Sequence, residues 1–116
     1  MISSEYVLEM IIMKTAFIEV LGESPVVKVL DFLLDNRIFD YSMKQISIES
    51  GVSWATIQKI FPQMEKKEII IMTRRVGKAK MYKLNFENQT VKDLLEFDLA
   101  VSKSYYKEEE KHKIEA

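Results

Sequence analysis

The stretch that decides the fold runs from residue 42 to residue 84 and reads SMKQISIESGVSWATIQKIFPQMEKKEIIIMTRRVGKAKMYKL. Its first part contains two short helical patterns that meet at the turn Ser50-Gly51-Val52-Ser53. Its second part contains two runs typical of β-strands, residues 68–73 and 80–84, which bracket a cationic turn near Gly77. The stretch therefore predicts a helix-turn-helix followed by a β-hairpin, an arrangement suited to binding a nucleic-acid duplex.

Serine residues mark the predicted start of both helices of this pair. Ser42 and Gln45 have capping-box spacing, and Ser53 is placed to cap the second helix. The buried stripe of the second helix is then formed by Ile57, Phe61 and Met64. Pro62 lies inside this helix, where it removes an amide hydrogen bond and its ring collides with the carbonyl of Gln58, so a kink or an early stop is expected.

Helices are also predicted on both sides of residues 42–84. Residues 6–21 are apolar on most sides of a helix, which predicts that this helix packs against more than one partner. A second helix begins at Ser24-Pro25 and stops at Asn36, and residues 37–41 are predicted to form a very short strand that pairs with the hairpin. A last helix follows residues 88–90 and is expected to give way to a charged, frayed tail over residues 108–116.

Composition favours one compact domain. The chain has 116 residues, 47% of them hydrophobic and 30% charged, with no cysteine and no apolar run of membrane-spanning length. A protein in the cytoplasm, with no membrane partner, is the simplest expectation. The net charge is −1, but residues 59–83 hold eight basic and two acidic residues, whereas residues 1–58 hold four basic and eight acidic residues. Positive charge is therefore concentrated in the second helix and the hairpin.

Residues 46–61, ISIESGVSWATIQKIF, with residues 64–70 behind them, resemble the winged helix-turn-helix regulators, most of all the MarR-type and ArsR-type groups and their archaeal relatives. The resemblance covers roughly residues 25–85. It implies a mainly α fold with a small β-hairpin wing. It also implies an N-terminal dimerisation helix over residues 1–22, a core over 24–85 and a C-terminal helix over 88–107. Glu68 stands where relatives usually carry glycine, so a different turn into the wing is expected.

In such proteins the second helix of the pair enters the major groove, the wing contacts the minor groove or phosphates, and the flanking helices form a homodimer. The resemblance thus implies double-stranded DNA as the partner and a pseudo-palindromic target.

The candidate DNA-binding residues lie in the helix pair and the hairpin. Phosphate contacts are predicted for Lys59, Arg74, Arg75, Lys78 and Lys80, the alternative being a solvated surface hairpin. The first turns of the second helix supply Ser53, Trp54, Thr56, Gln58 and again Lys59.

Gln58 suits adenine and Lys59 suits guanine, although polar residues cover any exposed helix. For Trp54, core packing or a dimer contact is an alternative. Lys44 begins the first helix, where a phosphate would meet both its ammonium and the helix amides; an ordinary surface lysine is the alternative.

The sequence gives little support for a metal, catalytic or effector site. His112 is the single histidine and there is no cysteine, so no metal site and no cofactor are predicted. No nucleophile with a base, phosphate-binding glycine loop or spaced carboxylate pair stands out, so no catalytic residue is predicted. The seven methionines are better explained as core than as an effector pocket, and any effector is left unknown.

The sequence favours a homodimeric transcriptional regulator, in particular a repressor. The main alternative is a winged-helix protein-interaction module in a transcription, replication or membrane-remodelling assembly, which Trp54, Pro62 and the acidic flanks would fit.

Overall fold

Five helices surround a small antiparallel sheet in the computed structural model, which describes the backbone of residues 14–115 and the side chains of residues 14–107. The helices are α1 (Ala16–Leu21), α2 (Pro25–Asp35), α3 (Met43–Ser50), α4 (Trp54–Lys66) and α5 (Gln89–Glu115). The strands are β1 (Tyr41–Ser42), β2 (Ile70–Val76) and β3 (Ala79–Leu84). The predicted mainly α fold with a hairpin is confirmed at this level. The helix predicted over residues 6–21 begins in the described part only at Ala16, because Lys14 and Thr15 are not helical and Thr15 caps α1 from an extended conformation; residues 6–13 lie outside the described residues.

Side-chain caps begin the two helices of the central pair, as predicted. The hydroxyl of Ser42 accepts a hydrogen bond from the amide of Gln45 at 3.2 Å, and the side chain of Gln45 accepts one from the amide of Ser42 at 2.9 Å. Ser53 caps α4 by accepting from the amide of Thr56 at 3.3 Å. Between the helices, Gly51 ends α3 in the left-handed region at φ 71°, which glycine adopts without a side-chain clash. Local chemistry therefore fixes the turn between α3 and α4.

The sheet has the strand order β1-β3-β2, with both pairs antiparallel. Tyr41 pairs with Tyr82, which confirms the predicted pairing of a very short strand with the hairpin. This strand is shorter and later than the predicted span of residues 37–41, because residues 36–38 form a turn and Phe39 is 67% exposed. The strand order places β1 at one edge of the sheet and β2 at the other.

One hydrophobic core joins the helices to the sheet. Phe61 of α4 packs edge-to-face on Tyr82 of β3 with ring centroids 5.1 Å apart, and Phe17 of α1 meets Phe97 of α5 at 6.1 Å. The largest fully buried side chains are Phe17, Phe61, Leu33, Leu34, Ile46, Ile57, Ile70, Leu84, Val29 and Val91. This core holds α4 and the hairpin in a fixed relation, which positions the surface described below.

The early stop expected at Pro62 is wrong, because α4 continues to Lys66. Pro62 cannot donate to the carbonyl of Gln58, but both residues are exposed, so water can reach that side of the helix. The stripe of apolar residues on the other side of α4 remains buried and stabilises the helix across the proline.

A different turn was expected at Glu68 because it replaces glycine. Glu68 instead forms the turn that glycine usually forms at the end of a helix. Glu68 has φ 58°, its amide donates to the carbonyl of Glu65 at 2.9 Å, and the amide of Ile69 donates to the carbonyl of Met64 at 3.0 Å. These two bonds are those of a Schellman helix end. The side-chain amides of Asn85 and Asn88 both donate to the carbonyl of Glu68 at 3.0 Å, and so support the left-handed residue.

The C-terminal helix is longer than expected, since α5 continues to Glu115 where a frayed tail was predicted over residues 108–116. Residues 103–115 contain neither glycine nor proline and are rich in glutamate and lysine, which are strong helix formers. Within residues 14–115, none of the helices is long and apolar enough to cross a membrane.

Candidate nucleic-acid interface

A groove of about 640 Å³ separates α4 from the hairpin, and we call it the helix–hairpin groove. Half of the ten candidate residues line it, namely Lys44, Trp54, Gln58, Lys78 and Lys80. Its other lining residues are Ser42, Met43, Pro62, Ala79 and Tyr82. The fold thus brings the start of α3, the exposed side of α4 and the turn of the hairpin together around one space.

Cationic side chains predominate among the charged residues at the helix–hairpin groove, although one carboxylate lies nearby: burial and the charge of Glu65 on α4 raise the pKa of Tyr82, and the charge of Arg75 lowers it. Lys44, Lys78 and Lys80 line the groove, and among the residues that the structure describes its lining contains no carboxylate and no histidine. The lysines come from α3 and from the hairpin, so they face the groove from different elements. Their positive potentials therefore add in the groove.

Most of the candidate residues at the start of α4 are exposed. Ser53, Gln58 and Lys59 are exposed and Thr56 is half-buried. The hydroxyl of Ser53 donates to that of Thr56 at 2.9 Å while it accepts the Thr56 amide, so these two side chains build the helix start. Gln58 projects into the helix–hairpin groove, whereas Lys59 lies outside it.

Trp54 is 46% exposed and lines the groove, so the core packing considered for it is wrong. A large aromatic ring that is left half in water beside lysines is an unusual feature of a surface helix. It gives the groove an apolar contact surface next to its charges.

Both arginines of the hairpin are exposed and, as neighbours in a strand, lie on opposite faces; a register shift decides which of them shares the face of Tyr82. Met72 pairs with Tyr82 and Arg74 pairs with Met81, so Thr73 is an extra residue in β2. Side chains alternate along a strand, and cross-strand partners share a face. Arg75 pairs with Lys80 and therefore lies on the face of the hairpin that borders the groove, whereas Arg74 lies on the other face.

Arg74 is held by an acidic residue from the loop before β1. Its guanidinium donates to both oxygens of Asp40, from Nε at 2.9 Å and from Nη2 at 3.1 Å. Hydrogen bonds from Arg74 and from the Thr73 hydroxyl lower the pKa of Asp40 to about 2. The carboxylate therefore stays ionised and balances the arginine. Arg74 ties the loop to the hairpin, a role that the sequence did not predict because a single aspartate in a loop has no characteristic spacing.

Sequence reasoning missed the apolar residues of the groove. Tyr82 was predicted to face one side of the hairpin, and Pro62 was considered only for its effect on the helix. Both line the helix–hairpin groove together with Met43. Such residues are recognised only when the packing of helix against hairpin is known.

No family model, curated protein or solved structure matches this chain. The helix–hairpin groove can bind a polyanion through its ammonium groups and can contact a flat ring or a methyl group through Trp54.

Proposed function

We propose that this chain is a winged helix-turn-helix protein that binds double-stranded DNA as a homodimeric transcriptional regulator, in particular a repressor in the cytoplasm. The observation that carries the proposal is the helix–hairpin groove, where lysines from α3 and from the hairpin line the space beside the exposed side of α4 and no described lining residue is acidic. The acidic overall charge is compatible with it, because phosphates respond to the local arrangement of cations.

In the proposed complex α4 lies in the major groove, which is wide enough to admit an α-helix. Gln58 and Lys59, both exposed, would reach base edges, and Trp54 would contact a sugar or a thymine methyl. Lys44, Lys78 and Lys80 would bind phosphates on either side of the helix. Arg75 would join them from the same face of the hairpin.

The terminal helices supply the proposed dimer interface. Exposed apolar side chains lie on α1 and α5, with Val20 46%, Leu21 44%, Leu99 51% and Tyr106 65% exposed. Burying them against a second copy would remove apolar surface from water. A two-fold dimer would bind half-sites about 34–36 Å apart and would repress by occupying the promoter.

A salt titration tests the proposal. Fluorescence anisotropy with a mixed-sequence duplex should show tight binding at about 50 mM salt and a loss of about 10³- to 10⁵-fold at about 200 mM, as expected for six to ten phosphate contacts. Two protomers that each use Lys44, Arg75, Lys78 and Lys80 would supply contacts in that range. Weak binding without salt dependence would contradict DNA binding.

The apolar lining of the same groove favours one other function, that of a protein-interaction module. Met43, Trp54 and Pro62 would bury an apolar segment of a partner protein there. The salt titration separates the two proposals, because a module of this kind would bind the duplex weakly.

A further inference from the structure

One wall of the helix–hairpin groove is a single stripe of α4. Trp54, Gln58 and Pro62 follow one another at intervals of four residues, and all three line the groove. Residues four apart on a helix lie on the same face. The stripe therefore places the half-exposed ring of Trp54 one helical turn from the amide side chain of Gln58.

Pro62 also leaves a backbone acceptor open on this wall. An α-helix pairs the carbonyl of residue 58 with the amide of residue 62, but proline has no amide hydrogen. Because Gln58 and Pro62 both line the groove, the carbonyl of Gln58 borders it without its usual helical partner. Beside the aromatic ring, the wall thus offers a carbonyl acceptor as well as the donor and the acceptor of the Gln58 side chain.

Positive charge lies across the groove from this stripe. Lys78 and Lys80 line the groove from the hairpin, and Lys44 lines it from the first turn of α3. Glu65, the nearby carboxylate on α4, is eleven residues beyond Trp54, which is about 16 Å along the helix axis. A flat ring bound at Trp54 and an anion attached to that ring would therefore meet an aromatic surface, hydrogen-bonding groups and cations within one space.

We propose that the helix–hairpin groove binds an adenine nucleotide with two or three phosphates, and that this nucleotide competes with the duplex for the groove. The base would stack on Trp54, and its 6-amino group would donate to the open carbonyl of Gln58. The side-chain amide of Gln58 would donate to ring nitrogen N7, and the three lysines would bind the phosphates. The groove volume of about 640 Å³ lies within the range of about 300–1,000 Å³ that is usual for small-molecule sites.

The competition rests on the proposed function, because the nucleotide and the duplex would use the same side chains. A bound nucleotide would cover Trp54 and Gln58 and would place its phosphates where those of the duplex would lie. A rising nucleotide concentration would then release the protein from DNA. Nucleotide binding itself is measured on the chain alone.

The chain contains one tryptophan, so its fluorescence reports on Trp54. ATP should quench this emission. In calorimetry ATP should bind at least about tenfold more tightly than adenosine or inorganic tripolyphosphate, because each of these supplies only one of the two kinds of contact. GTP should bind at least about fivefold more weakly than ATP, because guanine carries an oxygen acceptor where adenine carries the amino donor. Absence of ATP binding at millimolar concentration would overturn the proposal, as would an ATP affinity matched by tripolyphosphate or by GTP.

Variants at exposed positions locate the contacts. Pro62→Ala restores the amide that donates to the carbonyl of Gln58, so it should remove most of the preference for ATP over GTP. Its melting temperature should not fall, because alanine favours a helix far more than proline does. Replacing Lys78 and Lys80 together by alanine should lower ATP affinity at least about tenfold, whereas Lys67→Ala, outside the groove, should retain it. An unchanged preference in Pro62→Ala, or an unchanged affinity in the double variant, would refute the site.

Fluorescence anisotropy of a labelled duplex at constant ionic strength measures the competition. ATP should release the duplex near the Kd that calorimetry gives for ATP, whereas adenosine at the same concentration should not. ATP that binds without releasing the duplex would overturn the competition. ATP binding by a chain that fails to bind the duplex would support the nucleotide site and contradict the proposed function, whereas duplex binding without ATP binding would do the reverse.

Discussion

The two arginines of the hairpin should behave differently in DNA binding, although they are neighbours in the sequence. Arg75 shares a face with Lys80 and borders the helix–hairpin groove, together with Lys78 at the hairpin turn. Arg74 lies on the opposite face, paired with Asp40. We therefore predict that replacing Arg75, Lys78 and Lys80 together by alanine weakens binding to every duplex sequence, whereas Arg74→Ala changes the salt dependence little.

The size of the effect follows from counterion release. Each phosphate contact contributes about 0.9 to the magnitude of the negative slope of log affinity against log salt. Three lost contacts therefore reduce this magnitude by about 2.7 per protomer and about 5.4 per dimer. Over a fourfold increase in salt, a slope that is smaller by about 5.4 means that the triple variant loses roughly two-thousandfold less affinity than the original chain. Arg75, Lys78 and Lys80 are exposed, so their removal should change the free energy of unfolding by only a few tenths of a kcal/mol each.

Anisotropy titrations at four or five salt concentrations, with one fixed duplex, measure these slopes. Lys67→Ala, at an exposed position at the end of α4 that does not line the helix–hairpin groove, serves as the matched control and should retain the original slope. A triple variant with an unchanged slope would refute phosphate binding by the hairpin. If Arg74→Ala flattened the slope as much as Arg75→Ala, the assignment of the two arginines to different faces would be refuted.

Three further predictions concern specificity and stability. Gln58→Ala or Lys59→Ala should relax preference at particular base pairs by about 1–3 kcal/mol in selection from random duplexes, and an equal loss on all sequences would make these residues phosphate contacts. Glu68→Gly should raise the free energy of urea unfolding by about 1 kcal/mol because φ 58° suits glycine, and a decrease would show that the glutamate side chain is stabilising. The pKa of Asp40 is lowered to about 2, below its unfolded value near 3.8, so its contribution to stability is present above about pH 4 and is lost as pH falls towards 2. Asp40→Asn should remove this part of the acid dependence. If the free energy of unfolding falls equally in the two proteins between pH 4 and pH 2, the pairing of Asp40 with Arg74 is contradicted.

The helix pair could be predicted because the signals that define it are local. The Ser42 cap, the Ser53 cap and the left-handed Gly51 each act within a few residues, and each is present where the sequence placed it. The turn at Glu68 was wrongly predicted for the same reason: its stability depends on Asn85 and Asn88, which lie beyond the hairpin. Local rules cannot include a hydrogen bond that exists only after the hairpin has folded back.

The faces of the hairpin were also beyond sequence reasoning. A one-residue shift in register reverses the direction of every following side chain, and nothing in the run of residues 70–76 marks Thr73 as the extra residue. Asp98 of α5 lies close to Asp31 and Asp35 of α2, and the sequence carries only a weak signal of this, since Asp98 follows Val91 and Leu94 at helical spacing on an apolar face. The partners of Asp98 on α2 could not be identified without the packing of α5.

The separation of charge explains how a chain with a net charge of −1 is compatible with a polyanionic partner. Acidic side chains gather between α2 and α5, whereas the helix–hairpin groove contains only cationic and neutral residues. Exposed charges are screened over about 8 Å at physiological ionic strength, so acids on other elements subtract little from the potential that a bound phosphate experiences in the groove. The same acids would repel DNA that approaches from their side. A duplex would therefore meet the groove preferentially, and local charge rather than total charge would decide where this protein binds.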